Sequence, residues 1–299
     1  MRGWWKDLTD LVLPAECAGC GAPRTELCPR CRTALGGAAP RRVRPVPEPP
    51  GLPVVHAAAA YAGEVRALLL AHKERGALAL AGALGAALAE AVRAGLGPAG
   101  PDDVVTARRG PDGAAEGRQG PRTVLLVPVP SARWAVRARG HDPVRRMALT
   151  AAGELRRTGT PARVAAVLRQ RRAVADQAGL DARQRLENLA GALEVREGGA
   201  RLLTAGRVVI VDDLITTGAS LAEAARALRE ASVSRRDRGK AVYEAATREG
   251  RGERRTGAWP EGKMWVHGAP EKAAPKAAGE ALHAAVVAAP RDSFEINRN

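Results

Sequence analysis

The chain has 299 residues and a formal net charge of +15 at pH 7. Its length allows one substantial core and a small appendage, and because only 3% of the residues are aromatic, that core must consist mainly of Ala, Val and Leu. The positive charge favours partners rich in phosphate. The longest apolar run, residues 77–89, is too short and too rich in Ala and Gly to cross a bilayer, and Asp7 and Asp10 interrupt any export signal. The sequence therefore predicts a cytoplasmic protein without a membrane span.

All four cysteines lie within residues 1–37, in two CxxC pairs that seven residues separate. Cys17 pairs with Cys20, and Cys28 with Cys31. In a reducing compartment, such pairs favour a tetrahedral Zn²⁺ site with four thiolate ligands over disulfides. A site closed by four thiolates has no open position for a substrate, so we expect a structural zinc module. The alternative is a redox-active dithiol pair.

The main domain is predicted to begin after a linker. Residues 38–53 are crowded with Pro and Arg, which is typical of a linker, and the apolar residues 54–61 then indicate a first strand. Helical spacing follows in residues 64–72 and 77–94, with the sequence HKERG between them. Lys73 in that turn either contacts a phosphate or is simply solvated.

A second strand is predicted from residue 123, after a polar stretch at residues 97–122 that has no periodicity and indicates a mobile surface loop. The strand TVLLVPVP ends in a Pro-rich turn and an Arg-rich loop. If this strand lies beside the acidic strand described below, its loop emerges at the same edge of the sheet. Polar and basic side chains there are candidates to hold a diphosphate, or belong to a solvated helix start: Ser131, Arg133, Arg137 and Arg139.

Two further elements are predicted before the acidic strand. Residues 162–168 indicate a strand, and residues 181–189 a helix or hood segment. Arg183 and Asn188 in the latter either close over a ligand or are solvated helix residues.

The most informative stretch is RVVIVDDLITTGAS, at residues 207–220. Four apolar β-favouring residues, 208–211, predict a strand buried on both faces, and it ends at Asp212 and Asp213. A short turn then opens a helix. The two acids are therefore expected at the carboxyl edge of a parallel sheet, where ligands bind in open α/β folds.

This turn has the chemistry of a sugar-phosphate site. Backbone N–H groups at a helix start, with the hydroxyls of Thr216, Thr217 and Ser220, suit a phosphate dianion. The two neighbouring carboxylates suit the hydroxyls of a vicinal diol. The alternative is a buried strand that ends in a solvated acidic helix cap.

The same stretch resembles the 5-phosphoribosyl-1-diphosphate (PRPP) loop of type I phosphoribosyltransferases, in which four apolar residues precede Asp-Asp and a Thr-rich turn with Gly. The resemblance implies that Asp212 and Asp213 hold the ribose hydroxyls. It also implies that the turn binds the 5-phosphate, through Thr216, Thr217, Gly218 and Ser220.

The end of the chain contains a second insertion. Residues 232–279 are basic with little periodicity, and we expect them to be disordered or, because they carry a few aromatic residues, to bind single-stranded nucleic acid. Residues 282–290 indicate the delayed last strand of the sheet.

The whole pattern resembles the competence protein ComF family, which combines a four-cysteine module, a VPVP strand exit followed by Arg-x-Arg-Gly, and the PRPP loop. Arg137, Arg139 and Gly140 are in place here. Residues 141–143 read His-Asp-Pro where many members have Phe-Asn-Gln, a departure on the acceptor side. A further family-like block consists of Gln177, Leu180, Arg183, Asn188 and residues 191–193.

This resemblance implies an α/β fold with a mostly parallel, doubly wound sheet of the type I phosphoribosyltransferase kind in residues 54–299, joined to the N-terminal zinc module. It implies a protein that binds PRPP or a nucleotide, with Mg²⁺ carried by the diphosphate, and that displaces diphosphate if it is an enzyme. No residue stands out as a nucleophile or a general base. The alternatives are a DNA-uptake adaptor that binds single-stranded DNA or a helicase-like partner, and a nucleotide-sensing regulator without catalysis.

Overall fold

The computed structural model describes residues 16–97, 122–172, 174, 181–249 and 282–295, with the backbone alone for residues 235–249. The predicted loop at residues 97–122 lies almost wholly outside the described residues. The same is true of Gln177, Leu180 and the predicted insertion beyond residue 249.

The described residues form alternating strands and helices. The helices are α1 (Pro29–Gly36), α2 (Gly63–Glu74), α3 (Ala81–Leu96), α4 (Arg133–Arg139), α5 (Pro143–Arg157), α6 (Ala182–Leu189), α7 (Gly199–Leu202) and α8 (Ala219–Glu249). The strands are β1 (Arg41–Val43), β2 (Val54–Ala60), β3 (Val124–Pro128), β4 (Ala162–Val164), β5 (Leu168–Gln170), β6 (Leu193–Val195), β7 (Arg207–Leu214) and β8 (His283–Ala289).

Six of the strands form the main sheet, in the order β1-β2-β8-β7-β3-β4. β1 pairs antiparallel with β2, whereas every other neighbouring pair is parallel. The last strand of the chain therefore lies in the middle of the sheet, beside β7. The predicted α/β class with a mostly parallel sheet is confirmed.

Helices cover both faces of the sheet, which explains why its central strands are apolar without alternation. Leu84 of α3 and Met147 of α5 pack with Val211 on one face, in a cluster to which α2 also contributes. Leu228 of α8 packs with Ile210 on the other face. Successive residues of β7 thus point to opposite layers, as the pleat of a strand requires.

A smaller unit lies outside the main sheet. β5 and β6 pair antiparallel as a two-stranded ribbon, and α6 lies between them in sequence. The Leu193 N–H donates to Glu223 of α8 at 2.9 Å, and Arg226 of α8 donates to the Leu193 carbonyl oxygen at 2.9 Å. This hood, formed by β5, α6 and β6, is therefore attached to α8.

The predicted linker at residues 38–53 differs from the structure, because β1 lies within it. Val43 is buried, and the Arg41 guanidinium lies over the Phe294 ring at 4.5 Å from its centroid. β1 has only three residues and lies at the edge of the sheet, so the sequence pattern does not reveal it in a segment rich in Pro and Arg.

Two other predicted boundaries were wrong. The strand at residues 162–168 is split into β4 and β5, because a turn closed by a hydrogen bond from the Val167 N–H to the Ala165 carbonyl oxygen, at 2.8 Å, directs the chain out of the main sheet. The disorder expected from residue 232 does not begin there, since α8 continues to Glu249. Residues 232–249 contain no Pro and many strong helix formers, so their charge obscured their helix propensity.

One helical stretch, Leu78–Leu96, has the length and the composition of a membrane span, with a mean hydropathy of 1.4 over its most apolar window. Half of that window is buried inside the fold, where α3 packs against α5 and the sheet. The predicted helix at residues 77–94 corresponds to this stretch, which continues to Leu96.

Candidate functional site

The two acidic residues lie at the carboxyl end of β7, near the centre of the sheet. Asp212 and Asp213 are only 8% and 6% exposed. Val129, at the exit of β3, donates its N–H to the Val211 carbonyl oxygen at 2.9 Å, so the Arg-rich segment emerges next to the acids. The expected neighbourhood of these two strands, which pair in parallel, is confirmed.

Asp213 points towards α2 and is paired there with Lys73. The Lys73 Nζ donates to the Asp213 Oδ2 at 2.9 Å. Burial raises the pKa of the Asp213 carboxyl, but the charge and the hydrogen bond of Lys73 outweigh burial and hold the pKa below its ordinary value. The attraction of Asp213 in turn raises the pKa of Lys73. Lys73 thus neutralises one of the two acids.

Among the residues that the structure describes, no cation forms an ion pair with Asp212. Its Oδ1 accepts a hydrogen bond from the backbone N–H of Asp213 at 2.8 Å. Burial and the repulsion of the Asp213 charge raise the pKa of Asp212 well above its ordinary value. A carboxylate that is buried with little compensation is costly in the free protein, and a ligand hydroxyl that donates to it would lower that cost.

The turn after β7 is tightly built. Gly218 has a φ of +77°, in the left-handed region that favours glycine, and a Cβ there would lie 3.1 Å from Leu52 Cδ1. The Ala219 N–H donates to Thr217 Oγ1 at 3.4 Å. Thr216 is exposed, whereas Thr217 and Ser220 are half-buried at the start of α8. Their hydroxyls therefore lie beside the N–H groups that a helix leaves without intrahelical partners in its first turn.

The hood adds an arginine to this turn that differs from the one predicted. Arg185 Nη1 donates to Thr216 Oγ1 at 3.4 Å. Arg183 is instead 87% exposed and pairs with Glu187 on the same helix. The Asn188 carbonyl oxygen accepts a hydrogen bond from Arg172, which helps to close the end of α6. Charge and spacing alone could not distinguish the two arginines, because the sequence does not show which side of α6 faces the turn.

The Arg-rich segment is α4 and the turns on either side of it. Ser131 donates to Asp142 Oδ1 at 3.3 Å, and Asp142 also caps α5 by accepting from the Arg145 N–H. Arg139 pairs with Glu74 of α2 at 3.1 Å. Arg133 and Arg137 are exposed. The structure thus ties Ser131 and Arg139 to neighbouring elements and leaves the other two candidates at the surface.

Two histidines lie behind these contacts, and sequence reasoning gave neither of them a role at the site. The rings of His72 and His141 are 6.0 Å apart between centroids. Each Nδ1 is within hydrogen-bond distance of a carbonyl oxygen, that of Ala77 at 3.2 Å and that of Arg139 at 3.1 Å. Burial lowers the pKa of His72, so this ring is neutral near pH 7. The pair joins the end of α2, which carries Lys73, to the end of α4.

The four cysteines converge as predicted. The Sγ atoms of Cys17, Cys20, Cys28 and Cys31 all lie within 4.8 Å of one another, and all four are free thiols in the structure. Four sulfur donors at this spacing fit a tetrahedral structural metal such as zinc. Burial raises the pKa of Cys17, but hydrogen bonds from backbone N–H groups, that of Cys28 first among them, outweigh burial and bring the pKa to about 6.

The cysteine cluster packs directly on α2. A Cβ at Gly19 would lie 2.7 Å from Cys31 Sγ and 3.3 Å from Leu68 of α2, so only glycine fits between the cluster and the helix. Arg75, just after α2, donates to the Ala18 carbonyl oxygen at 3.3 Å, and Arg30 pairs with Glu64. The same helix that supports the cluster therefore carries Lys73 to Asp213.

No protein-family model matches the chain, and no curated protein is significantly similar to it in sequence.

The two acids are expected to have opposite effects on stability. Asp212→Asn should raise the free energy of unfolding of the ligand-free protein at pH 7, by an amount on the order of 1 kcal/mol, because folding raises the pKa of Asp212 and so disfavours its charged form. Asp213→Asn should lower it by roughly 1–2 kcal/mol, since Lys73 loses its partner and its side chain is 37% exposed. Urea unfolding of both variants measures the two effects, and equal shifts of the same sign would contradict this account.

The cysteine cluster is expected to bind one Zn²⁺ per chain. Removal of the metal with a strong chelator should lower the melting temperature, because metal binding contributes to folding. Elemental analysis and thermal unfolding before and after chelation measure both effects. A metal-free protein that unfolds identically with and without chelator, and that forms an internal disulfide in air, would instead support the redox alternative.

Proposed function

We propose that the protein binds PRPP at the end of β7, as a member of the ComF family with a phosphoribosyltransferase-like domain of the type I kind. The observation that carries this proposal is the juxtaposition of two buried carboxylates with a hydroxyl-rich turn at a helix start. A diol requires acceptors and a phosphate requires donors, and this edge of the sheet supplies both within consecutive residues, 212–220.

The distribution of hydrogen-bond donors and acceptors at the site favours one orientation of the ligand. Asp212 and Asp213 offer oxygen acceptors, whereas the turn offers N–H and O–H donors, so the ribose hydroxyls of PRPP belong beside the acids and the 5-phosphate at Thr216, Thr217 and Ser220. On this orientation the diphosphate points towards α4, where Arg133 and Arg137 are exposed.

Magnesium belongs to this proposal as part of the substrate, carried by the diphosphate. Asp213 is already paired with Lys73, and Asp212 has a raised pKa, so the two acids do not form a free carboxylate site for a resident cation. Lys73 stands at the boundary between the acids and the diphosphate end, and binding of PRPP would give it a second anionic partner.

If the protein turns over PRPP, the bond that breaks joins C1 of ribose to the diphosphate oxygen, and the electron pair leaves with diphosphate. An acceptor nucleophile forms the new bond at C1. The protein anchors the phosphate and the diol, and arginines of α4 stabilise the charge that develops on the departing diphosphate. Binding alone does not establish turnover, because a site of this kind also serves a sensor.

A second candidate, a DNA-uptake adaptor, is favoured by Trp134. This side chain is 56% exposed on α4, and Arg133 and Arg137 on the same helix are exposed as well. An exposed indole beside guanidinium groups suits the stacking of a base and the neutralisation of a backbone phosphate. The adaptor would bind single-stranded DNA there, with the helicase-like partner expected from the family resemblance.

The test is a calorimetric titration of the zinc-loaded protein with PRPP and Mg²⁺. We expect saturable binding that Asp212→Asn combined with Asp213→Asn abolishes, because the diol loses its charged acceptors. Because the effects of substitutions at two adjacent residues do not simply add, thermal unfolding of the double variant verifies that it is folded.

Single-stranded DNA, titrated in the same way, separates the two functions. The adaptor predicts binding that weakens steeply with salt, survives the double Asp variant and weakens in Trp134→Ala. Absence of PRPP binding to the wild-type protein would rule out the proposed function.

A further inference from the structure

Arg185 contacts the turn between β7 and α8, and one of its N–H donors has no partner in the part of the chain that the structure describes. Its Nη1 reaches Thr216 Oγ1 at 3.4 Å, while its Nε atom is buried and has no hydrogen-bond partner among the described residues. A buried N–H that stays unpaired costs free energy, so such groups usually have a partner in the functional state.

The charge of Arg185 is also uncompensated. No described carboxylate forms an ion pair with it, in contrast to Arg183 two residues earlier, which pairs with Glu187, and Arg226 of α8, which pairs with Glu223 and Glu230. A guanidinium with no carboxylate beside it, next to a hydroxyl and a helix start, is arranged to receive an anion.

The fold holds Arg185 in this place before any ligand binds. Asp181 and Gln184 form a reciprocal capping box at the start of α6. At the other end of α6, Leu189 packs with Ala192 and with Ala219, which is the first residue of α8. The hood is therefore packed against the phosphate turn itself, and little ordering is needed for Arg185 to contact a ligand there.

We infer that Arg185 is a phosphate ligand contributed by the hood, so that the turn binds a sugar phosphomonoester between the start of α8 and the guanidinium of α6. This inference rests on the proposed function and deepens it, because it adds a guanidinium from the hood to the hydroxyls and N–H groups that bind the phosphate. The phosphate accepts hydrogen bonds from Arg185 and from the N–H groups and hydroxyls of the turn. The diphosphate end of PRPP does not contact Arg185.

The test compares Arg185→Ala with Arg183→Ala, a matched control on the same helix whose side chain is solvated. Calorimetric titrations use ribose 5-phosphate, PRPP with Mg²⁺, and inorganic phosphate. We expect Arg185→Ala to weaken all three by about 10- to 100-fold, the usual effect of losing a charged hydrogen-bond donor. Arg183→Ala should stay within about twofold of the wild type, since its pair with Glu187 is exposed. Arg185→Lys should recover part of the loss, because it restores the charge but not the fork of donors.

The outcomes separate this inference from the proposed function. If the wild type binds ribose 5-phosphate and PRPP, and Arg185→Ala binds them as Arg183→Ala does, the role of Arg185 is refuted while the PRPP site stands. If the wild type binds inorganic phosphate through Arg185 but does not bind PRPP, the anion site stands and the proposed function fails. If the wild type binds none of the three, both are refuted. Thermal unfolding of the three variants verifies that each is folded.

Discussion

Two adjacent carboxyl groups are buried at the end of the central strand β7, and the candidate site is arranged around them. Alternation along β7 directs Asp213 to the α2 side, where Lys73 neutralises it, and leaves Asp212 with a single backbone donor. If stability alone determined these positions, apolar residues would be expected here, as in the neighbouring strand β8. The ligand that we propose donates hydrogen bonds to Asp212, which would lower the cost of burying this carboxyl group.

The cysteine cluster and the hood support the candidate site from two sides. The cysteine cluster supports α2 through Leu68 and Ala18, and α2 carries Lys73 to the acids. The hood packs on the start of α8 and brings Arg185 to the turn. The candidate site thus joins three segments that are distant in sequence, and α2 connects the cysteine cluster with the acids.

Much of the fold and part of the site were predictable from the sequence, because local patterns determine them. Runs of Val and Ala identified the central strands, and the spacing of the cysteines identified a cluster of four thiols that could hold a structural metal. The split between β4 and β5 was not predictable, because a single turn redirects an otherwise apolar segment. For Arg183 the sequence left open a ligand contact and a solvated position, and the contact of Arg185 with Thr216 was not predictable, because it depends on how α6 packs on Ala219. The pairing of Lys73 with Asp213 joins residues far apart in sequence, and only the packing of α2 on the sheet brings them together.

We propose that the end of β7 holds a ribose phosphate in one orientation, and a crystal structure with ribose 5-phosphate would show this orientation. We expect the ribose hydroxyls to lie at Asp212 and Asp213 and the phosphate to lie at the turn that contains Thr216 and Thr217. A structure in which the ligand binds elsewhere, or in which its phosphate lies at the acids, would contradict the account.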